Sequence, residues 1–255
     1  MTTSAVFRAD DIAISRSTVL AARLCVERGV CRNVSVQAVG AHLDLVRELL
    51  VPLAQAGRCA IGIHVTVCCE WDAPRFRPVG RRCDPILLDE DGAFLAHAGV
   101  MHERRVPGEA VVAEAEAQLD RLVAHGIRPT YADEHMCFGW VPSQAGSIAG
   151  WARRHGLVDA DRLRFTNPPA LPRQAGPVED ALARLAAVRG GVLRLIGHPV
   201  LPDNENGRFR MQAGIHAGYD LNRDRDAQRR MFTDPRIVAL VRSGAVESRR
   251  LDQLA

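Results

Sequence analysis

Short apolar runs ending in Asp or His alternate along this chain with helix-period segments that stop at glycine. Ser4 to Asp11 reads as a first strand, and the spacing predicts a helix over Ser17 to Arg28, closed by Gly29. Strands are expected at Asn33–Val39, Cys59–Cys68, Arg128–His135, Arg162–Thr166, Val192–Gly197 and Ala245–Ser248. Between them lie helical patterns at His42–Ala56, Glu109–His125, Pro142–His155, Val178–Arg189 and Arg223–Ser243, the last interrupted near Pro235. One stretch, about Glu70 to Gly108, has four prolines and little periodicity; a segment that long in a compact domain is expected to be a lid or binding loop. Alternation of this kind is the mark of an α/β protein with a parallel sheet or barrel.

Composition narrows the picture. A length of 255 residues suits a single α/β barrel domain over 1–255, and 47% hydrophobic residues supply its core. No apolar run reaches membrane-span length, and no leader pattern opens the chain, so a cytoplasmic protein that does not contact membranes is expected. All 33 basic residues are arginine, so Schiff-base chemistry and a phosphate-loop lysine are excluded. The formal charge of +3 is nearly balanced, without a dense basic block, which argues against a nucleic-acid partner. Seven cysteines form no CxxC pair and are read as reduced thiols.

Chemistry concentrates at the strand ends, where parallel barrels gather reactive groups. Asp10-Asp11, His64, His135 and His198 each stand at or just past such an end, although the chain has only nine histidines. Each has a plain alternative. An acid pair can cap a helix, but Ser15 and Ser17 are available for that. His64 suits a hydrogen-bonded core position, and His198, before Pro199, suits a turn. A carboxylate and two imidazoles from separate strand tips suit a hard-to-borderline divalent ion, which points to metal-assisted hydrolysis.

In order along the chain, these segments resemble the YdjC family of carbohydrate deacetylases. Arg8-Ala9-Asp10-Asp11-Ile12-Ala13-Ile14-Ser15 is similar to its N-terminal Asp-Asp motif, and Gly62-Ile63-His64-Val65-Thr66-Val67 to its histidine strand. Asp91-Gly92-Ala93-Phe94, Glu116-Ala117-Gln118, Pro129-Thr130, Asp133-Glu134-His135 and Gly197-His198-Pro199 continue the likeness. The resemblance implies an irregular, incomplete (β/α) barrel related to the polysaccharide deacetylase (NodB-like) fold, holding one divalent metal, zinc or another transition ion, or magnesium. It assigns Asp11, His64 and His135 to the metal, Asp10 to the general base and His198 to the general acid. Its implied substrate is an N-acetylated amino sugar or glycosylated metabolite. A non-sugar amide and a non-catalytic sugar-binding protein on the same scaffold remain open, as does association of the chain into homo-oligomers. The family's later histidines are replaced by Met136 and Cys137, and Gln228 stands where an acid is common.

Overall fold

The computed structural model describes residues 3–216 and 218–254. Its centre is a parallel sheet of strands β1 (Thr3–Ile12), β2 (Asn33–Val36), β3 (Ala60–Val65), β5 (Tyr131–Glu134), β6 (Val158–Asp159) and β7 (Val192–Gly197), in the order β6-β5-β3-β2-β1-β7. A further strand, β9 (Val246–Ser248), pairs with the first residues of β1 beside the β2 edge. The sheet curls without closing. The segment after β6 reaches β7 through a bond from Thr166 N–H to Val192 O and the Arg194–Asp161 ion pair at 3.0 Å. Hence the architecture is an incomplete (β/α) barrel.

Helices follow most strands and pack on the convex side: α1 (Arg16–Arg28), α2 (Leu43–Leu49), α3 (Val51–Gln55), α5 (Gly108–Ala124), α6 (Ser147–Arg154), α7 (Pro177–Ala187), α8 (Leu221–Thr233) and α9 (Pro235–Arg242). Ser15, not an aspartate, caps α1 by accepting the Thr18 N–H, which leaves the Asp10-Asp11 carboxylates to other work. The helix expected over His42–Ala56 is divided at Leu50, just ahead of Pro52. The expected break near Pro235 separates α8 from α9, with Asp234 capping the second helix.

Two expectations fail. No strand forms over Arg162–Thr166; β6 is the shorter Val158–Asp159, hydrogen-bonded beside Tyr131 and Ala132. The helix expected from Pro142 is 3-10 over Pro142–Gln144 and regular only from Ser147, because Gly146 is left-handed at φ 80°. The long segment after β3 contains a short strand, β4 (Trp71–Ala73), and helix α4 (Ala98–Glu103). Strand β4 pairs antiparallel with β8 (Arg210–Met211), so the loops after β3 and β7 meet over the strand ends. No helix among the described residues is long and apolar enough to cross a membrane.

Inside the barrel, alternate strand residues build two layers. The lower layer is apolar: Val6, Ala60, Tyr131, Ala160 and Leu251 pack together, all nearly or fully buried. Gly62 is required there, since a Cβ would lie 2.1 Å from the Tyr131 ring. Farther along the strands, Arg8 (two residues past Val6), His64 (two past Gly62) and Asp133 (two past Tyr131) replace the apolar side chains.

Candidate metal centre

Adjacent residues of a regular strand point to opposite faces, so Asp10 and Asp11 should diverge. They do not, because β1 changes register between Ala9 and Ile12 and Asp11 adopts φ 60°. Ala13 is also left-handed, at φ 89°, and Gly40 lies so close that a Cβ there would stand 2.3 Å from the Ala13 carbonyl oxygen. Such conformations cost about 1–3 kcal/mol each in non-glycine residues and persist where surrounding packing enforces them. Here the bend turns both carboxylates toward the barrel mouth.

Asp11 Oδ1 lies 3.1 Å from His135 Nδ1 and 3.4 Å from His64 Nε2, and those two nitrogens are 3.3 Å apart. The three side chains are buried and form a group able to hold a metal ion. Each imidazole is oriented through its other nitrogen by a carboxylate. Asp133 Oδ1 meets His64 Nδ1 at 2.6 Å, and Glu70 Oε2 meets His135 Nε2 at 2.9 Å. Asp11 Oδ2 receives Arg225 Nη2 at 2.7 Å, while Gln37 Nε2 donates to Asp11 Oδ1 at 2.9 Å.

Asp10 stands beside this triangle, within 4.8 Å of both His64 and Asp133. Arg8, two residues earlier on the same face, grips it through two bonds of 2.8 and 2.7 Å and reaches Asp133 at 2.8 Å. His198 follows Gly197, which is in register with Ala9, so it stands level with Asp10 on the neighbouring strand. Gln228 Oε1 accepts from both the His198 backbone N–H (2.8 Å) and Nδ1 (2.9 Å). That contact makes Nδ1 the protonated nitrogen and leaves Nε2 as the free one.

Charge explains why a cation fits. Four carboxylates, Asp10, Asp11, Glu70 and Asp133, are in contact with the cluster, against two guanidinium groups, Arg8 and Arg225. Asp161 has its own partner in Arg194. Burial opposes charging either imidazole, yet the surrounding carboxylates outweigh it. His135 is pushed up to about 9, chiefly by Glu70 and Asp11, and His64 well above the usual histidine range by Asp133. Burial likewise opposes ionising Asp11, but Arg225 and His135 hold it well below the usual carboxylate range. Two protons on the imidazoles, or one divalent ion in their place, balance the excess. Gln37 Oε1, Arg225 Nη1 and Trp71 Nε1 are also buried without a partner around this centre.

All five residues singled out from sequence thus lie in or beside one cluster. Arg8, Gln37, Glu70, Asp133, Arg225 and Gln228 complete it, and the sequence reading gave none of them a role. The alternation of Ser35 and Gln37 with valine and alanine is a signal for the barrel face; nothing local marks Glu70.

Comparison with a solved structure agrees with this architecture. A crystal structure of an Enterococcus faecalis V583 protein named for cellobiose-phosphate cleavage superposes with a TM-score of 0.76 at 19% identity, covering 100% of both chains. A family 4 carbohydrate esterase from Streptomyces lividans, in complex with acetate, gives a TM-score of 0.41 at 10% identity, over 97% of this chain and 90% of its own. No curated protein matches. The family model described as YdjC-like protein matches residues 4–188, and the chain belongs to that family.

Proposed function

We propose that this protein is a metal-dependent amide hydrolase that removes an acetyl group from an N-acetylated amino sugar or a sugar-bearing metabolite. The observation that carries the reading is the buried Asp11–His64–His135 triangle, with a two-charge excess of carboxylate around it and Asp10 alongside. Family membership and the carbohydrate-directed name of the Enterococcus faecalis relative support the sugar.

Asp11, His64 and His135 would hold the ion, zinc or another transition metal being favoured by two nitrogen donors, with magnesium the alternative. When bound, such an ion supplies Lewis acidity, polarising an acyl carbonyl and making water a stronger acid. Asp133 and Glu70 fix the two imidazoles so that the correct nitrogens face inward. Asp10, steadied by the Arg8 fork, takes the proton of the attacking water. His198 Nε2 delivers a proton to the departing nitrogen, which is a poor leaving group as an anion. A base and an acid so placed contribute about 100- to 10,000-fold each.

The test is acetate release from a panel of N-acetylated sugars by the metal-loaded protein. Asp10→Asn is expected to lose about 100-fold or more in kcat while keeping its metal. Full turnover in that variant would overturn the base assignment, and binding without acetate release by the wild type would favour a sugar-binding role.

A further inference from the structure

At the other end of the barrel, where the strands begin, lies a cavity of about 870 Å3. Volumes of roughly 300–1,000 Å3 are those of small-molecule sites. The cavity is enclosed by the last turn of α1, the residues entering β2 and β3, the end of α9, and β9. Ala5, paired with β9, stands five residues before Asp10 on β1, so the metal centre is about 17 Å away along that strand.

A gap left by imperfect packing would be apolar. This one gathers three guanidinium groups, Arg32, Arg58 and Arg249, against a single carboxylate, Glu247. The chain as a whole is nearly balanced, with 33 basic and 30 acidic residues, so the excess is local. The three arginines are held in place by their neighbours. Arg32 Nη2 donates to Gly57 O at 3.2 Å, and Arg58 Nη2 donates to Val26 O and Glu27 O, answering the negative end of α1. Arg249 Nη1 meets Glu247 at 3.0 Å, while its Nε is buried with no acceptor among the described residues. Each guanidinium has five N–H donors, so most remain open.

The main chain beneath these groups is equally fixed. The Arg249 N–H donates to Ala5 O at 2.8 Å, and its carbonyl accepts from Asn33 Nδ2 at 2.9 Å. Arg32 N–H reaches Phe7 O, and Arg32 O accepts from Ala60 N–H. The cationic side is therefore anchored to β1, β2 and β3. The other side is apolar: Val26, Val30 and Val246 are buried there, and Val241 is half-buried.

We propose that this cavity binds a phosphate monoester of a small molecule, the arginines taking the phosphate and the valines its organic group. Three positive charges against one leave an excess of two, which matches a phosphate dianion and exceeds what a carboxylate would neutralise. Forked guanidinium donors suit phosphate oxygens. The site is separate from the metal centre and does not rest on the hydrolase reading.

Calorimetric titration of the full chain with phenyl phosphate tests this. One saturable site is expected at millimolar concentration or below, with inorganic phosphate and benzoate each roughly tenfold weaker and phenol not bound. Arg249→Gln should weaken phenyl phosphate roughly tenfold, and Arg32→Gln combined with it should abolish binding, with metal content and thermal unfolding unchanged. Val241→Glu, which leaves the arginines intact and sets an anion on the apolar wall, should weaken it as well. His64→Ala, titrated in parallel, should bind phenyl phosphate as the wild type does. Binding lost in His64→Ala but kept in the arginine variants would place the anion at the metal centre and overturn the proposal. Absence of saturation, or equal affinity for inorganic phosphate and its phenyl ester, would overturn it too. None of these readouts depends on acetate release.

Discussion

The lower and upper layers of the barrel interior share strands β1, β3 and β5 and follow opposite rules. Below, Val6, Ala60, Tyr131 and Leu251 exclude water by packing. Above, Arg8, Asp10, His64 and Asp133 are as deeply buried, yet each persists only through its charged neighbours. Burying a charge costs several kcal/mol unless it is paired and hydrogen-bonded, so the upper layer contributes little net stability. The lower layer carries the fold, and the upper layer carries the candidate metal centre.

Substitutions can break this division. His64→Ala should cause the largest change, loss of the metal and with it all but residual turnover; elemental analysis of the purified variant checks it, and retained metal would remove His64 from the ligand set. Tyr131→Ala acts below, deleting a fully buried ring, and should cost about 3–5 kcal/mol in denaturant unfolding.

Protonation sharpens the contrast. At pH 7 the metal-free protein keeps protons on His64 and His135, so binding one divalent ion should release about two protons, fewer as pH rises past about 9. Calorimetry in buffers of different ionisation enthalpy measures that number. The sign for stability follows. Because the folded-state value of His135 is raised, its contribution is full below about 6.5 and is lost as pH climbs through about 9. The metal-loaded protein should lack that loss.

The smallest expected effect is at His198. Burial, with Arg225, lowers its pKa despite the opposing pull of Asp11 and Asp10, and Gln228 offers a neutral acceptor. Gln228→Glu places an anion there and should move the alkaline limb of the kcat/KM profile upward by about one pH unit. An unmoved limb would mean that His198 does not supply the proton.

Much of this was legible in the chain. Glycine stops and the strand–helix alternation gave the architecture, and the scarcity of histidine made its recurrence at strand tips informative. The three proposed ligand positions, which the fold does bring together, were therefore within reach of sequence reasoning. What escaped depends on contacts distant in sequence. Glu70 reaches His135 only because the segment after β3 folds back to pair with β8, and Arg225 reaches Asp11 from a helix more than two hundred residues away. The misplaced strand near Arg162 has a local cause. Two residues beside Tyr131 and Ala132 suffice for pairing, too few to leave a periodic signature.

Asp133 touches His64 with one oxygen and Arg8 with the other, and Arg8 in turn clasps Asp10. Asp133 thus ties the proposed ligand His64 to the proposed base Asp10 through a single guanidinium, so removing its carboxylate would release the imidazole and slacken the grip on Asp10 together.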